Sequence, residues 1–284
     1  RGYFYFLLVD KISKMEESPK EWWGDFKFET GATAQWEIGS LRIAVQRLPA
    51  EWLVAHEQIE ESEDSLGWRF SFIEANIKEG KWSQISRFVA QSTTEQLTVR
   101  PALADRSVVS RPFTPFTVQA DEEVTIYVGT PLWFTLSIDY QEGSLFEIPI
   151  RRPSDTWFGP STLEGELCYA SRTYGRINLK NLTADARLAN TQLHIVNQSD
   201  DPLPVERISL PVPFLSLFAT VDGVLWTEAV KMAEERKTSL AEFDIEDGPP
   251  QVAAGTPLVA PSRKAPQKGT LVRAFSVLTL QGFD

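Results

Sequence analysis

Ala34-Gln-Trp-Glu-Ile-Gly-Ser-Leu-Arg-Ile-Ala-Val-Gln46 decides the fold class. Apolar and polar residues alternate on either side of Gly39-Ser40, so each half reads as a strand with one buried face. Glycine at the first position of a two-residue loop supplies the positive φ that a type II′ turn requires, and the segment reads as a β-hairpin. Trp52 to His56, Trp68 to Ile73 and Ile85 to Ala90 carry the same alternation onward as a meander. From Arg100 to Tyr140 the strands become Pro-bounded: Ser107 to Ser110, Phe116 to Gln119, Glu123 to Val128 and Leu132 to Ile138. Pro101, Pro112, Pro115 and Pro131 fall at strand starts or in connections, where a missing N–H costs no ladder bond.

The second half repeats this grammar. Thr191 to Asn197 and Leu203 to Leu210 read as a hairpin around a Gln198-to-Pro202 turn, and Phe214 to Val221 leads through Asp222-Gly223 into Val224-Leu-Trp226. Residues 226–240 fit helical spacing about as well as alternation, and two strands joined near Glu235 to Lys237 are preferred over a short helix because the context is all β. Asp247 to Gly269 holds five prolines and reads as a surface excursion with polyproline character. Leu271 to Leu280 then returns as a strand. Short strands at regular spacing specify an all-β protein. The 284 residues exceed what one core usually serves. Two β-sandwich domains are expected, Ig-like or Greek-key, the first over 1–150 and the second over 151–284.

Composition bounds the function. Against 39 acidic residues stand 28 Lys and Arg, a net charge of −11, and such a surface repels a phosphate backbone; nucleic acid is not an expected partner. A lone Cys168 cannot close an intramolecular disulfide and suits a reducing cytoplasm. Tyr3 to Val9 is too short an apolar run for a membrane helix and lacks the basic flank of a signal peptide, so neither membrane insertion nor export is expected. Arg1 in place of Met leaves room for a preceding segment. Asn181 and Asn197 begin glycosylation sequons that read as chance matches.

No complete catalytic signature is present. The chain lacks G-x-S-x-G, G-x-x-x-x-G-K-[ST] and G-x-G-x-x-G motifs. His56 and His194 are its only histidines, each at an alternating strand position, which suits structural residues; zinc needs three or four converging ligands. Glu57 to Asp64 is acidic but lacks the spacing of a calcium loop, and reads as a solvated turn. No catalytic residue, metal or cofactor is therefore expected.

Ser154 to Lys180 is the densest cluster of chemistry-bearing residues. It supplies the candidates for a binding surface or domain junction: Trp157, Phe158, Glu164, Glu166, Cys168, Tyr169 and Arg172. Trp157 and Phe158 would pack there, with Arg151, Arg152, Arg172 and Arg176 pairing to Asp155, Glu164 or Glu166. Leu167 to Ala170 reads as strand core, which would keep the thiol inert. Trp36, Trp52, Trp68 and Trp133 alternate like core residues. Trp22 and Trp23 are different, because adjacent residues cannot both point inward from one strand; this pair is the leading candidate for a docking surface.

Arg100-Pro101, Arg111-Pro112, DEEVTIYVGTPLWFTL (121–136), DTWFGP with GELCYASR (155–172) and LPVERISLPVP (203–213) occur in this order. The set resembles a prokaryotic family known as the domain of unknown function numbered 432, over roughly residues 36–280, with WFG and GELCYA the most specific part. The resemblance implies a prokaryotic, cytoplasmic, β-rich protein and carries no catalytic residues. The expected function is non-catalytic binding of a protein partner or small ligand. The alternative is a carbohydrate-binding or carbohydrate-hydrolysing protein using exposed tryptophans and the pair Glu164 and Glu166. Homo-oligomerisation through edge strands is a third arrangement.

Overall fold

The hairpin forms as read. Thr33–Ile38 and Leu41–Leu48 pair antiparallel with Trp36 opposite Ile43, and Gly39 turns at φ +56°. The structure, a computed structural model, describes residues 20–60, 66–138, 143–159, 163–182, 184–234, 240–265 and 272–275. Tyr3 to Val9, Glu61 to Asp64 within the acidic run, and the 276–280 end of the last strand lie outside the described residues. Among the described residues every regular element except three one-turn 3₁₀ segments is a strand, and no helix is long and apolar enough to cross a membrane.

Around the hairpin, five strands form an antiparallel sheet in the order Trp68–Ile73, Thr33–Ile38, Leu41–Leu48, Glu51–Gln58, Gln84–Val89. Its buried face meets a four-stranded sheet, ordered Gly24–Lys27, Gln96–Ala102, Trp133–Ile138, Phe146–Pro149. Aromatic rings fill the interval. Trp36 is fully buried, edge-on to Phe26 at 5.1 Å and to Phe134 at 5.7 Å, and its indole N–H donates to the Trp22 carbonyl at 3.1 Å. Edge-to-face pairs of this kind satisfy the ring quadrupoles while removing large apolar areas from water.

A second group of sheets continues the same core. Leu188–Asn197 is the spine of an eight-stranded sheet, with Glu123–Pro131 antiparallel along one side and Leu225–Trp226 and Val230–Glu234 parallel along the other. Its alternate residues Ala189, Thr191, Leu193, Ile195 and Asn197 are all buried, the period of two that a one-sided strand requires. A four-stranded sheet runs Ser154–Phe158, Glu166–Thr173, Val108–Pro112, Ile208–Leu210, and its Glu166–Thr173 and Val108–Pro112 strands are parallel. The pairing crosses residue 150: strands within 108–131 pair with strands beyond 154, whereas Trp133–Ile138 and Phe146–Pro149 return to the first group. One contiguous cluster of buried side chains, from Trp22 to Phe243, runs through both groups.

Local readings hold where the turn is encoded. Asp222-Gly223 joins Leu217–Ala219 to Leu225–Trp226 in a hairpin, with Gly223 at φ +75°. Val230–Glu234 and Leu240–Ile245 are strands paired antiparallel; the joint expected near Glu235 to Lys237 lies outside the described residues. One hairpin expectation is corrected. Leu188–Asn197 does not pair with the 203–210 segment; Leu203–Val205 pairs with Phe116–Val118 and Ile208–Leu210 with Val108–Pro112. The cause is Asn197, whose buried amide donates to the carbonyls of Val118, Gln119 and Asp201 while its oxygen accepts from the Ser199 N–H and hydroxyl. That fan of bonds ties the 198–202 turn to the end of Phe116–Val118. The sequon asparagine is thus a structural knot.

The Pro-rich excursion is more ordered than polyproline character implies. It contains a 3₁₀ turn at Gln251–Ala253 and a strand, Leu258–Ala260, paired with Leu217–Ala219. Arg263 clamps it to the first group of sheets, donating to the Leu103 carbonyl at 2.7 Å and to the Glu147 carboxylate.

Candidate functional site

Ser154–Phe158 and Glu166–Thr173 are the first two strands of the four-stranded sheet. Ser154–Phe158 and Glu166–Thr173 pair antiparallel with Thr156 opposite Cys168. Gly159 and Gly165 pack backbone to backbone where the strands meet: a Cβ on Gly165, which sits at φ +156°, would lie 2.6 Å from the Phe158 carbonyl oxygen and 2.9 Å from the Gly159 Cα. This close approach is what the WFG and GEL glycines serve. Phe158 and Cys168 are buried with Val109 in a small cluster apart from the main core. Trp157 is 43% exposed; Glu164 and Glu166 are exposed. Tyr169 is half-buried, 5.5 Å from the Trp133 ring, and is the one member of the set that touches the first group of sheets through a ring.

Among the described contacts, three charged residues of this segment find the following partners. Asp155 pairs with Arg106 at 3.4 Å. Arg172 and Arg176 lie over the rings of Phe113 and Tyr174, at 5.9 and 4.8 Å. Short strands pointing side chains to alternate faces put these arginines beside aromatics rather than acids. Burial and the Glu166 charge push the Cys168 thiol up to about 12, so thiolate is scarce at neutral pH. A thiol reagent at pH 8 is expected to leave Cys168 untouched in the folded protein and to label it at the rate of unfolding; rapid labelling of native protein would contradict the burial.

Both histidines have partners within the fold. His194 lies 2.8 Å from the Thr125 hydroxyl through Nδ1 and 2.7 Å from the Gln192 amide through Nε2. His56 stacks 5.5 Å from Phe146, and burial holds its imidazole below the ordinary value.

A cavity of about 320 Å³ opens elsewhere, where the two groups of sheets meet. Four segments build it: 20–23, 66–68, 184–190 and 222–225. The backbone joins them, since the Ala186 N–H donates to the Leu66 carbonyl at 2.8 Å. Trp22 and Trp23 both line it. Trp22 is 1% exposed and stacks on Phe134 at 5.9 Å, with Trp23 edge-on to it at 5.3 Å. Trp23 is half-buried against the same core and lines the cavity, as does Trp68. Among the described residues the Trp22 indole N–H has no acceptor.

Charge in the cavity is acidic. Asp185 is already satisfied by Arg187, which donates to both carboxylate oxygens at 2.8 Å. Glu21 has no such partner among the described ion pairs and hydrogen bonds, and burial raises its carboxyl above the usual range. Its carboxyl group closes on Gly223, where a Cβ would come within 2.6 Å of Glu21 Cδ; only glycine lets the acid reach this position. Asp222 and Asn190 add acceptors, and Lys20 lies exposed on the rim. Because the folded state holds the Glu21 proton more tightly than the unfolded chain, stability falls as pH rises from the ordinary glutamate value of 4.5 through the raised one. Glu21→Gln is expected to be more stable than the wild type at pH 7 and equal to it below pH 4.5, as measured by urea denaturation across that range; a Glu21→Gln protein less stable at pH 7 would show that the carboxylate is held by a partner.

Trp68, Glu21, Asp185, Asn190 and Asp222 were not singled out by sequence, because they sit on separate segments and acids are abundant; only the Trp22-Trp23 dipeptide pointed here. No curated protein and no solved structure matches the chain. A family model described as a protein of unknown function, DUF432, matches residues 22–279. The match begins at Trp22, so it takes in the aromatic pair, every segment of the cavity wall from there onward, and the Pro-rich excursion. With nearly its whole length inside that match, the chain belongs to the DUF432 family.

Proposed function

We propose that the protein binds a small organic ligand in the cavity between its two groups of sheets, without catalysis, and that the ligand carries a cationic ammonium group. The supporting observation is the combination in one 320 Å³ space of two half-buried indole side chains, Trp23 and Trp68, with a carboxylate, Glu21, that burial disfavours and no described ion pair neutralises. Aromatic faces attract cations through the ring quadrupole by about 0.5–2 kcal/mol each. A desolvated carboxylate gains more from a cation than a solvated one does. Concave sites with a few convergent polar groups are the usual form of small-ligand sites. The exposed acids Glu164 and Glu166, by contrast, stand in a bend and at the first residue of a strand, with no described cleft beside them, so nothing here supports a hydrolase.

The test is calorimetric titration with choline as probe, against glucose as a neutral control. Saturable choline binding weakened at least tenfold by Glu21→Gln supports the reading, as does its loss when pH falls below the raised Glu21 value. Heat with glucose and none with choline, or choline binding indifferent to Glu21→Gln, would overturn it.

A further inference from the structure

The surface beyond the ends of Val108–Pro112 and Glu166–Thr173 carries charge of the opposite sign to the chain as a whole. The parallel ladder of these strands ends with Thr173 beside Pro112, and the Phe113 N–H then donates to the Thr173 carbonyl at 2.8 Å. That bond sets Phe113 beside Tyr174, and the two rings pack at 4.5 Å with their planes 31° apart. A guanidinium takes each end of the pair: Arg172 lies 5.9 Å from the Phe113 centroid and Arg176 lies 4.8 Å from that of Tyr174. Arg176 is fixed in turn by its backbone, which exchanges two hydrogen bonds with Tyr127. The result is a connected array, Arg172, Phe113, Tyr174 and Arg176, on a backbone tied at both ends. Its rings are 51% and 67% exposed, and Arg111, the cross-strand neighbour of Arg172, is exposed as well.

Residues 107–118 and 167–182 supply this surface, and they contain Arg111, Arg172, Arg176 and Lys180 but no Asp or Glu. The protein has acid to spare, with 39 Asp and Glu, yet none of the described ion pairs involves any of those four cations. A guanidinium over a ring spends a face on the ring quadrupole and keeps its in-plane N–H donors for an acceptor at its edge. Because the array also restrains two long side chains, less rotamer freedom remains to be lost on binding. Exposed aromatic rings beside arginines are the residue types that anchor protein interfaces.

We propose that this array docks a short acidic peptide segment of a partner protein, with a carboxylate on each of the Arg172 and Arg176 guanidinium groups and an apolar side chain against Phe113 and Tyr174. Charge decides both the class and the size of the occupant. Two cations set apart by a ring pair suit two carboxylates on one chain rather than a single anion. At physiological ionic strength exposed charges are felt over about 8 Å, so a segment that covers only the array meets cations alone. A membrane leaflet, a nucleic acid or a whole second copy extends past the array and meets the net charge of −11. The array shares no residue with the cavity wall and acts independently of it.

Fluorescence anisotropy with the full chain tests this, using as probe a labelled peptide of two glutamates on either side of a phenylalanine, and as control the same peptide with lysine for glutamate. The acidic peptide is expected to bind saturably and the lysine peptide not at all. Arg172→Gln with Arg176→Gln should weaken binding about tenfold or more, the effect of removing charge-assisted contacts from an interface. Phe113→Ala with Tyr174→Ala should weaken it too, and rising sodium chloride should bring the wild type toward the arginine variant. Urea midpoints of the variants, followed alongside, should stay near that of the wild type, as for other surface substitutions. Arg172→Lys with Arg176→Lys keeps the charge and loses the planar fork; its binding should be intermediate, which gives a second measure if glutamine lowers stability. No binding of the acidic peptide, equal binding of the lysine peptide, or binding unchanged in the arginine variants would overturn the proposal. So would tighter binding, lost in those variants, to a thymidine oligonucleotide or to phosphatidylserine vesicles, or sedimentation showing a dimer of the wild type and a monomer of the variant.

Discussion

Trp36→Ala will cost about 3–5 kcal/mol of stability, the range for deleting a large aromatic from a packed core. Trp36 is fully buried and lies within 5.7 Å of Phe26, Phe70 and Phe134, so it links the two sheets of the first group. Truncation opens a void that three other rings cannot fill, because each is held by its own strand. It also removes the donor that caps the Trp22 carbonyl, leaving a buried acceptor unmet. Trp36→Phe keeps most of the ring area and loses only the N–H and part of the volume, so its cost should be clearly smaller. Urea denaturation followed by circular dichroism measures both. Equal midpoints for Trp36→Ala and the wild type would show that this core is not packed as described.

Asn197→Ala is the second large effect, expected at about 2–4 kcal/mol from the several buried groups it would orphan at about 1–3 kcal/mol each. The side chain is 1% exposed and serves three carbonyls and two donors in one turn. Asn197→Asp separates the two halves of that role. Aspartate still accepts from Ser199 but presents a charged oxygen to the carbonyls of Val118, Gln119 and Asp201, and so should destabilise at least as much as alanine. The measurement is the same denaturation series. A cost below that of an ordinary surface substitution, about 0.5 kcal/mol, would mean the turn holds without its knot.

The elements legible in the sequence were those whose partner lies next in the chain. Gly39-Ser40 and Asp222-Gly223 each fix a turn and thereby a register, and both hairpins stand as read. Alternation says which face of a strand is buried but not which strand lies beside it. Nothing near Glu123–Pro131 encodes its pairing with Leu188–Asn197, and nothing near Val108–Pro112 encodes its parallel pairing with Tyr169 to Thr173, far along the chain. Those pairings are settled by the joint burial of two faces, a property of the whole sheet.

The sites followed the same rule. Trp22-Trp23 stands out as an adjacent pair of indoles, but it precedes the first strand, Gly24–Lys27, so the alternation argument does not reach it: Trp22 is core and Trp23 packs against that core. The carboxylate and second indole of the cavity do not stand out, since the wall is assembled from four segments spread between residues 20 and 225. Cys168, Phe158 and Tyr169 attracted notice by residue type, and the structure makes the first two packing residues. Arg172 was noticed for pairing with acids; its neighbour across the ladder is another arginine.

The most direct test of the cavity as a ligand site is ¹⁹F NMR of protein carrying 5-fluorotryptophan, titrated with choline. The account predicts that the resonances assigned to Trp23 and Trp68 by single substitution move together and saturably, that Trp36 and Trp52 stay fixed, and that Glu21→Gln abolishes the movement. Unmoved Trp23 and Trp68 signals at saturating choline, or movement that survives Glu21→Gln, would contradict it.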